Sequence, residues 1–218
     1  MYGAPFQSAL NTACILYEAS RKIKEVNVFV YAMGDSHRSD ALPIAIPGMT
    51  TKQIAENLDS LGSSGCNDSI FPALEMGLKD VTDHMAKKPS DICGFTHIFA
   101  LTDGYNGDYT YRDGDKCLEI LLNGNPQLTF DFFFTGTNDN NYMRSFLNKK
   151  KAEGSTQIDS VEGIFEDNKP LGEKISEILL KRMQISKVKE PQTNELKQKL
   201  IKDSVQQMSK VERTGRFY

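Results

Sequence analysis

Phe95-Thr96-His97-Ile98-Phe99-Ala100-Leu101-Thr102-Asp103-Gly104 is the stretch on which the fold turns. Phe95 to Leu101 is nearly continuous in apolar character, and Thr102-Asp103-Gly104 closes it as a polar loop. A strand with no polar side suits a parallel sheet covered by helices on both faces. Leu128 to Phe134, closed by Gly136, is a second run of the same kind. Between the two runs, Asp115 to Leu122 reads as a helix stopped by Asn123-Gly124-Asn125-Pro126.

The alternation continues outward in both directions. Downstream, Asn141 to Lys151 reads as a helix and Thr156 to Val161 as a weak strand. Pro170 to Met183 reads as a helix with Leu171, Ile175, Ile178 and Leu179 on one face. Upstream, Ser69 to Lys87 is an amphipathic helix carrying Leu74, Leu78, Val81 and Met85, and Thr51 to Leu61 is a shorter one capped by Thr50 or Thr51. Ala41 to Ile46 fits only a short edge strand, because Pro43 and Pro47 cannot serve a central ladder. Val26 to Ala32 is β-rich and runs to Gly34, and Phe6 to Lys24 is a helix burying Ala9, Ala13, Leu16, Ala19, Ser20 and Ile23. Strands alternating with helices predict an α/β fold, Rossmann-like and doubly wound, with a mostly parallel sheet and helices on both faces.

The character changes after residue 186. Lys187-Val188-Lys189-Glu190-Pro191 reads as a linker. Asn194 to Arg213 is a polar, basic helix with only Leu196, Leu200, Val205 and Met208 to bury, so it reads as a solvated helix before a docked one. The expected division is therefore 1–186 as one α/β domain and 187–218 as linker and basic C-terminal helix or tail.

The bulk composition narrows the function classes. The 218 residues suffice for one core and an appendage. Hydrophobic residues make up 39% and charged residues 25%, as in ordinary globular proteins. A net charge of -3 gives no global surface for nucleic acid or anionic membrane. No apolar run reaches the ~20 residues of a membrane span, and Met1 to Pro5 lacks the basic and apolar regions of a signal peptide. Cys14, Cys66, Cys93 and Cys117 have no CxxC spacing, and His37, His84 and His97 are scattered. Reduced thiols in the cytoplasm fit this better than a zinc site or a disulfide framework.

In open parallel sheets, ligands collect at the carboxyl ends of the strands. Two acidic loops fit that position: Gly65-Cys66-Asn67-Asp68-Ser69, entering a helix, and Leu101-Thr102-Asp103-Gly104, leaving the most apolar strand. Oxygen-only loops suit Mg²⁺ or Mn²⁺. Asp68 and Asp103 are the candidate ligands, with Asn67 and Ser69 as alternatives if the register slips by one. Each has a plainer reading: Asp103 as a turn residue, and Asp68 as an N-cap, a role compatible with ligation. Asp108 reads more simply as a solvated loop acid, and Tyr105, Tyr109 and Tyr111 as locally packed loop side chains.

These segments, in order, resemble a known family. Ile98 to Gly104 is similar to the strand and T-D-G loop of von Willebrand factor A domains of bacterial type. Cys66-Asn67-Asp68-Ser69-Ile70-Phe71-Pro72-Ala73-Leu74 resembles the family's second metal loop, with Asp68 at the usual threonine position. Val28 to Gly34 resembles its second strand, and Leu128 to Gly136 its fifth. Met1-Tyr2-Gly3-Ala4-Pro5 is similar to the segment just after the family's D-x-S-G-S motif. The resemblance covers about residues 1 to 185. It implies that the first central strand and the D-x-S-G-S loop stand before Met1.

The resemblance implies a non-catalytic protein-interaction module with an incomplete metal-ion-dependent adhesion site. Metal residues Asp68, Asp103, Asn67 and Ser69 would hold Mg²⁺ weakly, since the first-loop serines are missing. Two carboxylates held close without a cation repel, and one then tends to take a proton. The partner implied is a protein offering a carboxylate to the metal, in a setting where bacterial members work beside an AAA+ ATPase. One alternative is a Mg²⁺-dependent hydrolase on a similar sheet, although no D-x-D-G-T loop, nucleophile elbow or P-loop stands in the chain. The other is an inactive gene remnant.

Overall fold

The computed structural model describes residues 4–23, 26–32, 41–61, 70–88, 95–102, 114–134, 142–161, 171–186 and 193–215. The chain divides into two compact units, Met1–Cys93 and Gly94–Tyr218.

In the first unit, helix α1 (Ala4–Ser20) precedes a two-stranded antiparallel sheet of β1 (Val30–Ala32) and β2 (Leu42–Ala45), followed by helices α2 (Thr51–Asp59) and α3 (Phe71–Lys87). The strand expected over Val26–Ala32 is thus shorter, and it pairs antiparallel. Its register runs Val30 to Ala45, Tyr31 to Pro43 and Ala32 to Leu42, with an irregularity between Val30 and Tyr31. Pro43 is tolerated because β2 is an end strand of this pair.

Tyr17 is the buried centre of α1, packed with Ala45 and Ile54, while the Ile23 expected on that face is exposed. The Tyr17 hydroxyl donates to the Ile46 carbonyl at 2.6 Å, so the ring is buried and its polar tip is satisfied. Thr50 caps α2 in a full capping box: its side chain accepts from the Gln53 N–H, and the Gln53 side chain accepts from the Thr50 N–H. Tyr31 of β1 and Phe29 just before it meet one helical stripe of α3. Tyr31 Oη donates to Asp80 Oδ2 at 2.6 Å, and Phe29 meets His84 edge to face.

The second unit is built on a three-stranded parallel sheet in the order β3 (Thr96–Thr102), β4 (Leu128–Phe134), β5 (Ile158–Val161). The two apolar runs pair directly, from Thr96 with Leu128 to Thr102 with Phe134; β4 is buried along its whole length as expected, whereas β3, at the end of the strand order, is only half-buried except at Thr102. Each of the two connections carries a helix, α4 (Gly114–Gly124) and α5 (Tyr142–Ala152). Crossovers of one hand that step the same way across a sheet leave their helices on the same face. The Lys150 Nζ to Glu119 Oε1 bridge at 2.7 Å joins α5 to α4 accordingly.

Side-chain alternation separates the two faces of this sheet. Phe130, Phe132 and Phe134 stack along one face of β4, and Arg144 of α5 lies 4.3 Å over the Phe134 ring. His97, Thr129, Asp131 and Asp159 share the other face, where α6 (Leu171–Ser186) sends Arg182 to Asp131 and Lys181 to Asp159. Helices thus serve both faces of a small parallel sheet.

Helix α7 (Asn194–Gly215) packs against α4. Its buried stripe is Lys197, Ile201, Ser204 and Met208, while Leu196 is exposed. The spacing is helical, but two of the four residues are polar, so apolar periodicity finds the stripe only in part.

Candidate functional site

The four metal candidates, Asn67, Asp68, Ser69 and Asp103, lie outside the described residues, as do Asp108, Tyr105, Tyr109 and Tyr111. Their flanks are described. β3 ends at Thr102, a buried residue at the carboxyl end of the strand, and Asp103 follows it directly. Ile70 precedes α3, which opens with Phe71 and Pro72, so Asn67, Asp68 and Ser69 stand shortly before a helix start. Among the described residues, no three His, Cys, Asp or Glu side chains gather as a metal would require.

The described polar chemistry of the second unit clusters on the α6 face and at the amino ends of the strands. Asp131 sits mid-strand in β4 and is fully buried, and Arg182 is 3% exposed. The guanidinium clasps the carboxylate through two hydrogen bonds, Nε to Oδ2 at 2.9 Å and Nη2 to Oδ1, and its Nη1 donates to the Thr156 carbonyl at 2.6 Å. Bidentate contact of this kind fixes orientation as well as charge. Burial pushes the Asp131 carboxyl up from its ordinary value, and the guanidinium pulls it back.

Asp159, opposite Asp131 on β5, accepts from Lys151, Lys181 and the Ser160 N–H. Burial acts to raise its pKa, but those three donors together hold it well below the usual carboxylate range. His97 on β3 meets Thr129 Oγ1 at 2.6 Å and stacks on Phe95. Burial, with the positive charges of Arg182 and Lys197, lowers the imidazole to about 4, so it is neutral at physiological pH.

Gln157 binds the strand ends together. Its Nε2 lies 3.1, 2.9 and 3.0 Å from the carbonyl oxygens of Leu122, Asn125 and Leu128, so its two N–H groups are shared among three acceptors, joining the end of α4, the following turn and the start of β4.

This arrangement clamps α6 to the sheet and pins the strand ends. The sequence reading passed over Asp131, Arg182 and Gln157. For Asp131 a signal was present: a lone carboxylate inside Leu-Thr-Phe-Asp-Phe-Phe-Phe must find a cation if the strand is buried.

No protein-family model matches the chain, and neither does any curated protein. Among the described residues, no helix is long and apolar enough to cross a membrane.

Proposed function

We propose that this chain is a non-catalytic protein-interaction module of von Willebrand A type, in which Asp103 and the run Asn67-Asp68-Ser69 offer oxygen ligands to a weakly held Mg²⁺. The observation that carries the reading is the parallel β3–β4 pair, which runs out at Thr102 immediately before Asp103. That is the end of an open parallel sheet where ligands collect. The order of motifs along the sequence supports it further.

In this reading the sheet is a small Rossmann-like one, and the metal's free position takes a carboxylate from a partner protein. A cytoplasmic partner beside an AAA+ ATPase is the setting the resemblance implies. A hard divalent ion at such a site draws on carboxylate, hydroxyl and water oxygens. With a reduced ligand set, it is held weakly.

Calorimetric titration of the full chain with Mg²⁺ and Mn²⁺ tests this reading. The expected result is weak, saturable binding that is lost in Asp103→Ala and in Asp68→Ala and retained in Asp108→Ala. Binding indifferent to Asp103→Ala overturns it. So does Mg²⁺-stimulated hydrolysis of phosphate or carboxylate esters, which belongs to the hydrolase alternative.

A further inference from the structure

The seam between α7 and the amino ends of β3 and β4 contains a small, partly open pocket of about 10 Å³, lined by Thr96, Asn125, Gln127, Leu128, Lys197 and Ile201. Asn125 is held there from several sides. Its N–H donates to the Leu122 carbonyl, its own carbonyl accepts from the Leu128 N–H, and its Nδ2 donates to the Leu121 carbonyl at 2.7 Å and to Ser204 Oγ at 2.8 Å. The Leu121 carbonyl can only accept, so the amide cannot be turned over, and Oδ1 is fixed as the remaining atom. Asn125 Oδ1 and Thr96 Oγ1 are both buried, and neither has a hydrogen-bond partner among the described residues.

Buried polar atoms are nearly always paired, and where protein supplies no partner an ordered water does. A volume near 10 Å³ is about that of one water-sized probe. From these observations we infer that the α7 seam is a binding site for one buried water, which donates to Asn125 Oδ1 and hydrogen-bonds the Thr96 hydroxyl. The occupant is neutral. An anion would face the acceptor Oδ1, and a cation would sit beside Lys197, which is itself buried. The water therefore ties α7 to the sheet through Asn125, whose other arm already holds Ser204.

An atomic-resolution crystal structure of the full chain, together with water-to-protein cross-relaxation by NMR, tests this. The expected result is a water within hydrogen-bond distance of Asn125 Oδ1 and Thr96 Oγ1, with a long-lived water signal at the Asn125 side-chain amide. Thr96→Ser retains that signal and Thr96→Val loses it, with α7 still docked in both. Three outcomes overturn the inference: Lys197 Nζ bonded to Asn125 Oδ1 with no water between, a pocket that takes up xenon under pressure as a dry apolar cavity does, or an unchanged water signal in Thr96→Val.

Discussion

Arg182 of α6 and Asp131 of β4 form a two-point ion pair with both side chains removed from solvent. Breaking such a pair from one side strands a buried charge, at a cost of about 3–5 kcal/mol, whereas replacing both partners by apolar residues is often neutral. Asp131→Asn and Arg182→Met should each lower the urea midpoint of the second unit strongly. The double variant Asp131→Leu with Arg182→Met should recover most of the loss. Single variants within about 1 kcal/mol of the parent would mean that solvent reaches the pair.

His97 predicts an acid limb in the stability profile. Its folded-state pKa, about 4, lies below the ordinary value of 6.5. Between those two values the unfolded chain binds more protons, so stability falls as pH drops from about 6.5 toward 4 and is fully present above 6.5. The difference amounts to at most about 3.4 kcal/mol. His97→Gln should flatten this limb in denaturation series across that range, leaving any loss below pH 4 to carboxylates such as Asp159. An unchanged slope in His97→Gln would place the titration elsewhere.

Helix α7 is seated by a close approach. A Cβ added to Gly124 would fall on Ser204 Oγ, the atom that Asn125 Nδ2 holds at 2.8 Å. Gly124→Ala should therefore destabilise by about 1–3 kcal/mol through overpacking, despite the ~1 kcal/mol that alanine gains inside a helix. Ser204→Ala removes the obstructing atom, so Gly124→Ala should cost much less in that background. The double-mutant cycle should show a coupling of about 1 kcal/mol or more. Additive effects would contradict the docking of α7 at this point.

Gln157 predicts an inverted ranking of substitutions. Its amide nitrogen serves three carbonyls, so Gln157→Ala should cost about 1–3 kcal/mol by leaving acceptors unserved. Gln157→Glu conserves shape but turns a carboxylate oxygen toward those carbonyls. It should cost more than the alanine at neutral pH and less once the carboxylate is protonated. Thermal unfolding at two pH values separates these cases, and a benign Gln157→Glu would show that the amide is not the tie.

The architecture of the second unit was legible in the sequence because parallel strands announce themselves as apolar runs. Phe95 to Leu101 and Leu128 to Phe134 are direct neighbours in the sheet. Long-range polar contacts were not legible, since periodicity carries no information about them. Arg182 reaches Asp131 across 51 positions and Asn125 reaches Ser204 across 79. The buried stripe of α7 was read only in part for the same reason: of Leu196, Leu200, Val205 and Met208 the apolar count rightly picked out Met208, but it also picked out the exposed Leu196 and passed over the buried Lys197 and Ser204. In the first unit, alternation alone did not distinguish the antiparallel pairing of β1 with β2, because a β-rich run reads alike in either sense. The proposed metal ligands lie outside the described residues and rest on motif order and on where β3 ends.

Paramagnetic NMR with Mn²⁺ on the full chain tests the central proposal most directly. One ion held by both loops should broaden the amides of Asn67, Asp68 and Ser69 and those of Thr102, Asp103 and Gly104 at the same Mn²⁺ concentration. Asp103→Ala should abolish both sets together, and excess Mg²⁺ should reverse them. Broadening confined to one loop, or persisting in Asp103→Ala, would contradict a shared metal site.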